Sequence, residues 1–211
     1  LLNGLKPKTF VAENVSGLVK GTAKGMFLEI LKELKSCGYK VACKVLDAQW
    51  LGVPQTRQRT IFVGVRNDIG LDPVFPKPLP YRYSVAEACP EIIKAFSGVG
   101  QLQVEMIAGN EAFKPIWKPL SSGPSPTIMA SGSHGGSGEL RIQSGARPKH
   151  YQSADKPSPA GNDGRTAEIK NETIRRKFTI QELKRICAFP DDFIICGTYS
   201  QQWKRLGNSV P

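Results

Sequence analysis

Between Thr9 and Arg66 the apolar residues switch from strand to helix spacing and back again, a rhythm that narrows the possible folds more than any other feature of the chain. Thr9 to Val15 (TFVAENV) is a short apolar run bounded by Lys6, Pro7 and Lys8 on one side and Gly17 on the other, which predicts a strand. From Lys24, the residues Met26, Phe27, Ile30, Leu31 and Leu34 recur at helical spacing, with Glu29, Lys32, Glu33 and Lys35 opposite and Gly38 as a C-terminal stop. This predicts an amphipathic helix lying on a sheet. Strand spacing returns at Tyr39 to Asp47 (YKVACKVLD), and after a turn through Gly52 and Pro54 another strand runs from Thr60 to Arg66. Strand, helix, strand, short loop, strand is the order of an α/β sheet, the last two strands lying close enough in sequence to pair antiparallel. Apolar residues on both faces predict a sheet covered on both sides.

Within this frame Val53 to Val65 (VPQTRQRTIFVGV) concentrates the chemistry. Arg57 and Arg59 lie two apart at the mouth of an apolar run, so on an extended chain both point to one side and could grip an anionic or carbonyl-bearing group together. A solvated pair of charges at a strand end fits the pattern as well. Glu13 and Asn14 fall at the carboxyl end of the first strand, the edge of an open α/β sheet where ligands bind. A carboxylate paired with a nearby base is the alternative for Glu13, and the pattern leaves both open.

After Arg66 the composition shifts. Pro73, Pro76, Pro78 and Pro80 mark a stiff extended connector and a domain boundary, followed by a short helix starting at Ser84 and ended by Pro90. From about Phe96 to Glu172 the chain is rich in Gly, Ser and Pro, and between Arg141 and Lys177 nine Lys or Arg face four Asp or Glu, a composition suited to following a phosphate backbone. Ser131 to Gly138 (SGSHGGSG) lacks the Lys-Ser/Thr ending of a phosphate-binding P-loop and reads as a plain loop. Thr179 with Glu182 forms a capping box for a helix that buries Ile180, Leu183, Ile186 and Cys187, turns Lys184 and Arg185 outward and stops at Pro190. Gly207, Asn208 and Ser209 read as a tight polar turn.

A net charge of +11, from 29 Lys plus Arg against 18 Asp plus Glu, points to a polyanionic partner, nucleic acid first. No apolar run reaches membrane-helix length and no signal-peptide pattern opens the chain, so the interior of a cell is the default. Cys37, Cys43, Cys89, Cys187 and Cys196 are odd in number and spread out, which predicts reduced, mostly buried thiols, and neither they nor His134 and His150 have metal-site spacing.

Taken in order, ENV at Glu13 to Val15, VPQTRQR at Val53 to Arg59, RKFTIQELKRICAFPDDF at Arg176 to Phe193 and GNSVP at Gly207 to Pro211 resemble four motifs of the DNA cytosine-5 methyltransferases. The resemblance implies an enzyme that flips a cytosine out of duplex DNA, adds a cysteine thiolate to carbon 6 and methylates carbon 5 from S-adenosyl-L-methionine. By the same resemblance Glu13 and Arg59 are catalytic, Glu13 holding the N3 and amino edge of the base and Arg59 its O2. Asn14, Gln55 and Arg57 serve the target nucleotide, Arg57 at its phosphate, while Asn208, Ser209 and Val210 complete the cofactor pocket.

The implied fold is α/β: the C-terminal half of a Rossmann-like methyltransferase sheet plus a small, loop-rich, mostly β target recognition domain. Residues 1–80 would form the second half of the catalytic domain, 81–172 the connector and recognition domain, and 173–211 a segment returning to the catalytic domain. Ala188 stands where the family usually has Gly, and Trp203 where it usually has Tyr. The Pro-Cys nucleophile and the FxGxG cofactor loop are missing, so the expected partners are double-stranded DNA and an N-terminal part that is fused or a separate subunit, in a cytoplasmic bacterial or phage-encoded restriction-modification enzyme. A split enzyme, a non-catalytic DNA-binding module and an RNA-directed member of the family are the alternatives.

Overall fold

The computed structural model describes residues 1–19, 24–96, 103–111, 114–130, 139–143, 168–170 and 173–211. They form two compact units, Leu1–Leu51 with Arg57–Leu79, and Gly52–Thr56 with Pro80–Pro211. The Ser131 to Gly138 loop and most of the basic stretch after Arg141 lie outside the described residues.

In the first unit a short helix α1 (Leu2–Leu5) precedes β1 (Thr9–Val15), α2 (Lys24–Ser36), β2 (Tyr39–Asp47) and β3 (Gln58–Arg66). The sheet order is β1-β3-β2 and both pairings are antiparallel, giving α/β architecture with the last two strands paired as their spacing predicts. β1 and β2 keep the bounds their periodicity predicts; α2 starts at Lys24 as expected and ends at Ser36, and β3 starts at Gln58, two residues before the expected Thr60. Gly38 follows α2 with φ of 87°, the left-handed conformation that lets the chain reverse into β2.

Phe27, Ile30, Leu31 and Leu34 are the half-buried stripe of α2, and the Phe27 ring sits 5.8 Å from that of Phe62 in β3. Met26, expected in the stripe, is exposed instead. The expectation that both sheet faces are covered also fails. β1 alternates strictly between exposed and half-buried residues, and Val11, at 72% exposure, lies with Glu13 and Val15 on the open side. Two apolar faces in sequence do not ensure two covering layers among the described residues.

The second unit contains α3 (Val85–Ala88), α4 (Pro90–Phe96), β4 (Gln103–Glu111), β5 (Lys114–Pro119), β6 (Glu139–Gln143), β7 (Glu168–Lys170), β8 (Thr173–Lys177), α5 (Ile180–Ile186) and α6 (Tyr199–Asn208). The strands form one antiparallel sheet in the order β5-β4-β6-β8-β7, with a bulge between Ile107 and Gly109. Its core gathers Val85, Ile92, Leu120, Ile128, Leu183 and Ile186 around Phe178, with Trp203 and Leu206 of α6 closing it.

Three local expectations are corrected here. Pro90 does not merely end α3; it opens α4, because its missing N–H is no loss in a first turn. Lys184 does not face out: it is buried, its stem lying in the core edge while Nζ donates to the Asp191 carbonyl at 2.5 Å. Gly207 and Asn208 are the last residues of α6 rather than a turn, and Ser209 caps the helix. All five cysteines are free thiols, but Cys89 and Cys187 alone are buried, Cys37 and Cys43 are half-buried and Cys196 is exposed.

Candidate active site

The antiparallel register places Val15 opposite Arg59 and Glu13 opposite Ile61, so Glu13 and Arg59 are diagonal neighbours on one face of the first unit's sheet. Arg59 Nε lies 2.6 Å from Glu13 Oε1, with the two side chains 20% and 30% exposed. Arg59 Nη1 also donates to the Gln58 carbonyl at 2.8 Å, which holds the guanidinium along the strand. The pair thus sets an acceptor and a fork of donors side by side on an accessible face. A partly exposed pair is worth on the order of 1 kcal/mol, so a ligand that offers Glu13 a donor and Arg59 an acceptor can replace it at modest cost.

Asn14 lies on the opposite face of β1, where its Oδ1 accepts from the Val15 N–H at 2.8 Å. Arg57 precedes β3 and is 2% exposed. Its backbone is fixed at both ends, the N–H donating to Asp47 Oδ1 at 3.2 Å and the carbonyl accepting from Ala48 N at 3.0 Å. Asp47 is a residue that sequence reasoning missed. Its carboxylate also accepts from the Gln49 N–H and side-chain amide, closing the loop between β2 and β3. A lone Asp at the end of an apolar strand was its one signal.

Gln55 belongs to the second unit and is fully buried. Its Nε2 donates to Cys187 Sγ at 3.2 Å and its Oε1 accepts from Ile128 N at 3.3 Å. The backbone around it is strapped to Ser125, with Ser125 N donating to the Pro54 carbonyl at 2.9 Å and Thr56 N to the Ser125 carbonyl at 2.8 Å. Nothing local in the sequence marks Cys187 as its partner, because the two are brought together only by the tertiary fold.

At the end of the chain, Thr198 and Gln201 form a capping box that starts α6, and Trp203 Nε1 donates to the Met129 carbonyl at 2.9 Å. Asn208 and Val210 are exposed, while Ser209 Oγ donates to the Leu206 carbonyl at 2.7 Å. The structure therefore brings Glu13 and Arg59 into contact in one unit, and holds Gln55 and Asn208 to Val210 in the other.

Comparison with known proteins supplies the frame for these residues. The chain is 33% identical to the Type II methyltransferase M1.HphI of Haemophilus parahaemolyticus, over 98% of its own length and 54% of that protein's. It is 30% identical to M.NgoFVII of Neisseria gonorrhoeae, covering all of this chain and 57% of the relative. The chain thus spans little more than half the length of these relatives. Among solved structures it resembles a Spodoptera frugiperda DNMT2 variant, with a TM-score of 0.57 at 18% identity over 99% of this chain and 66% of the other. The S. pombe Dnmt2 methyltransferase gives 0.52 at 18% identity, covering 97% and 62% of the two chains. These likenesses establish a shared fold. The match that decides the family covers the whole sequence: over residues 1–211 the chain belongs to the C-5 cytosine-specific DNA methylases.

Proposed function

We propose that the chain is the C-terminal part of a DNA cytosine-5 methyltransferase of the restriction-modification kind, acting on a flipped cytosine in duplex DNA together with the remainder of the enzyme, fused or separate. The observation that carries this reading is the Glu13 and Arg59 diagonal on the accessible face of β1. A cytosine presents an amino group and N3 beside a carbonyl oxygen. Glu13 would take the amino and N3 edge and hold a proton at N3, making carbon 6 electrophilic, while Arg59 would donate to O2 as negative charge grows there. Asn14, through its bond to the Val15 N–H, would keep the backbone after Glu13 in place. Arg57 would supply the positive charge that draws the target phosphate, and Gln55 would hold the segment that carries both arginines.

S-adenosyl-L-methionine would supply the methyl group. Asn208, with an exposed amide, and Val210, with an exposed apolar side chain, suit the polar edge and the flat face of a nucleoside, and Ser209 would act as the cap that presents them. Neither of the two buried thiols is suited to the attack. Burial pushes the Cys89 thiol up, the opposite of what an attacking thiolate needs, and Cys187 is buried against Gln55. In this reading residues 1–80 belong to the catalytic sheet, a Rossmann-like half, 81–172 form the connector and target recognition domain, and 173–211 return to the catalytic part.

The test is reconstitution. The purified chain should transfer no methyl group to duplex DNA, and joining it to the N-terminal half of the enzyme should restore transfer. In the restored enzyme Glu13→Gln or Arg59→Ala should then lower the rate ~100-fold or more, the scale of one lost charge-stabilising group. Robust transfer by the chain alone, a preference for transfer RNA over duplex DNA, or DNA binding that no partner converts into methylation would each overturn the reading.

A further inference from the structure

The face of the first unit's sheet that lies under α2 is apolar where Phe62 of β3 meets Phe27. Thr60, two residues before Phe62 and so on the same face, is fully buried and breaks that pattern with a hydroxyl. A β-branched apolar side chain such as Val would suit the same place in a strand, and a buried hydroxyl is costly unless it is bonded. This one is bonded: Thr60 Oγ1 donates to the Val15 carbonyl at 3.2 Å. The sequence alone gives no reason for a hydroxyl here, and its position beside Arg59 supplies one.

Val15 ends β1, and side chains hold the peptide groups on both sides of it: its N–H donates to Asn14 Oδ1 at 2.8 Å, and its carbonyl accepts from Thr60. Beyond it the chain enters a 3₁₀ turn, Ser16–Val19, with Leu18 buried. In the register of the two strands Asn14 stands opposite Thr60 and Val15 opposite Arg59. Neighbouring residues of β3 therefore act on the two faces of the sheet. Arg59 meets Glu13 on the accessible face, and Thr60, from beneath, ties down the end of the strand that carries Glu13.

We propose that Thr60 is a positioning residue, whose hydroxyl holds the end of β1 against β3 so that Glu13 and Arg59 keep the spacing at which one cytosine lies across both. The proposal rests on the methyltransferase reading above. Without the hydroxyl the Val15 carbonyl, on a residue 56% exposed, takes a bond from water instead, so the fold persists. The end of β1 then gains freedom to move away from β3. DNA still binds, but the base lies in a looser alignment, and the loss falls on the rate of methyl transfer rather than on affinity.

The test uses the complete methyltransferase that carries this chain, reading the single-turnover rate of methyl transfer to duplex DNA and the Kd for that DNA. Thr60→Val keeps the shape and loses the hydroxyl; Thr60→Ser keeps the hydroxyl and loses a methyl group. Thr60→Val should lower the rate ~10-fold, the scale of one hydrogen bond, with Kd within ~2-fold of wild type and cooperative thermal unfolding retained. Thr60→Ser should stay within ~3-fold of the wild-type rate, because the bond is kept. In the Glu13→Gln background Thr60→Val should cost no more than ~2-fold, since the group it positions is already disabled. Equal losses in the Val and Ser variants, an undiminished rate in Thr60→Val, or a full ~10-fold further loss in the Glu13→Gln background overturns the proposal. So does a Thr60→Val enzyme that no longer unfolds cooperatively while Thr60→Ser does, which would give the hydroxyl a purely structural role. Absence of transfer to cytosine in DNA by the wild type, or undiminished transfer by Glu13→Gln alone, would overturn the methyltransferase reading itself, and both results are in hand before Thr60 is changed.

Discussion

Ala188 shows what a single residue contributes in this chain. Its φ of 57° lies in the left-handed region, and the turn it makes lets Ala188 N reach the Arg185 carbonyl at 3.0 Å and Phe189 N reach the Lys184 carbonyl at 2.8 Å. Those two bonds close α5 in a Schellman motif, whose turning position favours glycine. A methyl group there costs about 1 kcal/mol, so Ala188→Gly should stabilise the protein by that amount, read as a rise in the denaturant midpoint at unchanged slope. A variant no more stable than the wild type would refute the assignment. The departure from the family's usual Gly was legible in the sequence; its conformational cost was not, because φ is a property of the closed turn. The same limit applies to Glu13 and Arg59. Each was legible as a charge in a suggestive place, but their 2.6 Å pairing follows from the β1 to β3 register, which no stretch of sequence states alone.

Strands with a clean period were read with their ends in place, as β1 and β2 show, and elements whose limits depend on tertiary contact were not. Gly207, Asn208 and Ser209 are turn formers by local preference, yet α6 runs through the first two of them. Gly207 is there for close approach: a Cβ would fall 2.4 Å from Ala130 N, so the helix can lie against that backbone only without a side chain. Lys184 was misread for a related reason, since its acceptor is a carbonyl supplied by the turn after the helix. That turn carries a testable charge. Arg185 Nε and Nη2 hold the two Asp191 oxygens at 2.9 and 2.7 Å, and this bonding keeps the Asp191 carboxyl below its ordinary range. A depressed carboxyl contributes stability above its unfolded pKa of about 3.9 and loses it as pH falls through the lower folded value. Asp191→Asn should therefore lower the melting temperature at pH 7, and the gap to wild type should close as the pH drops below about 4. A gap of equal size at pH 7 and at the acid end would show that the ion pair is not its source.

For the molecule as a whole, a net charge of +11 on a chain of α/β type is what a polyanion-binding protein carries. Family membership makes the polyanion DNA under the proposed function, yet net charge and sequence reading are separable. Phosphate contacts release counterions, whereas under the proposed function Glu13 and Arg59 would act on the base. Binding of the chain to duplex DNA should thus weaken steeply with salt, by ~1,000-fold between 50 and 200 mM if about six phosphates are neutralised. Under the proposed function Arg59 faces the base, so Arg59→Ala should leave that slope unchanged, and Arg57, buried in this structure, would have to meet the phosphate on binding, so Arg57→Ala should reduce the slope by about one unit. Titrations at several salt concentrations measure both slopes directly. Equal slopes for the wild type and the Arg57 variant would remove Arg57 from the phosphate, and a reduced slope for the Arg59 variant would move Arg59 from the base to the backbone.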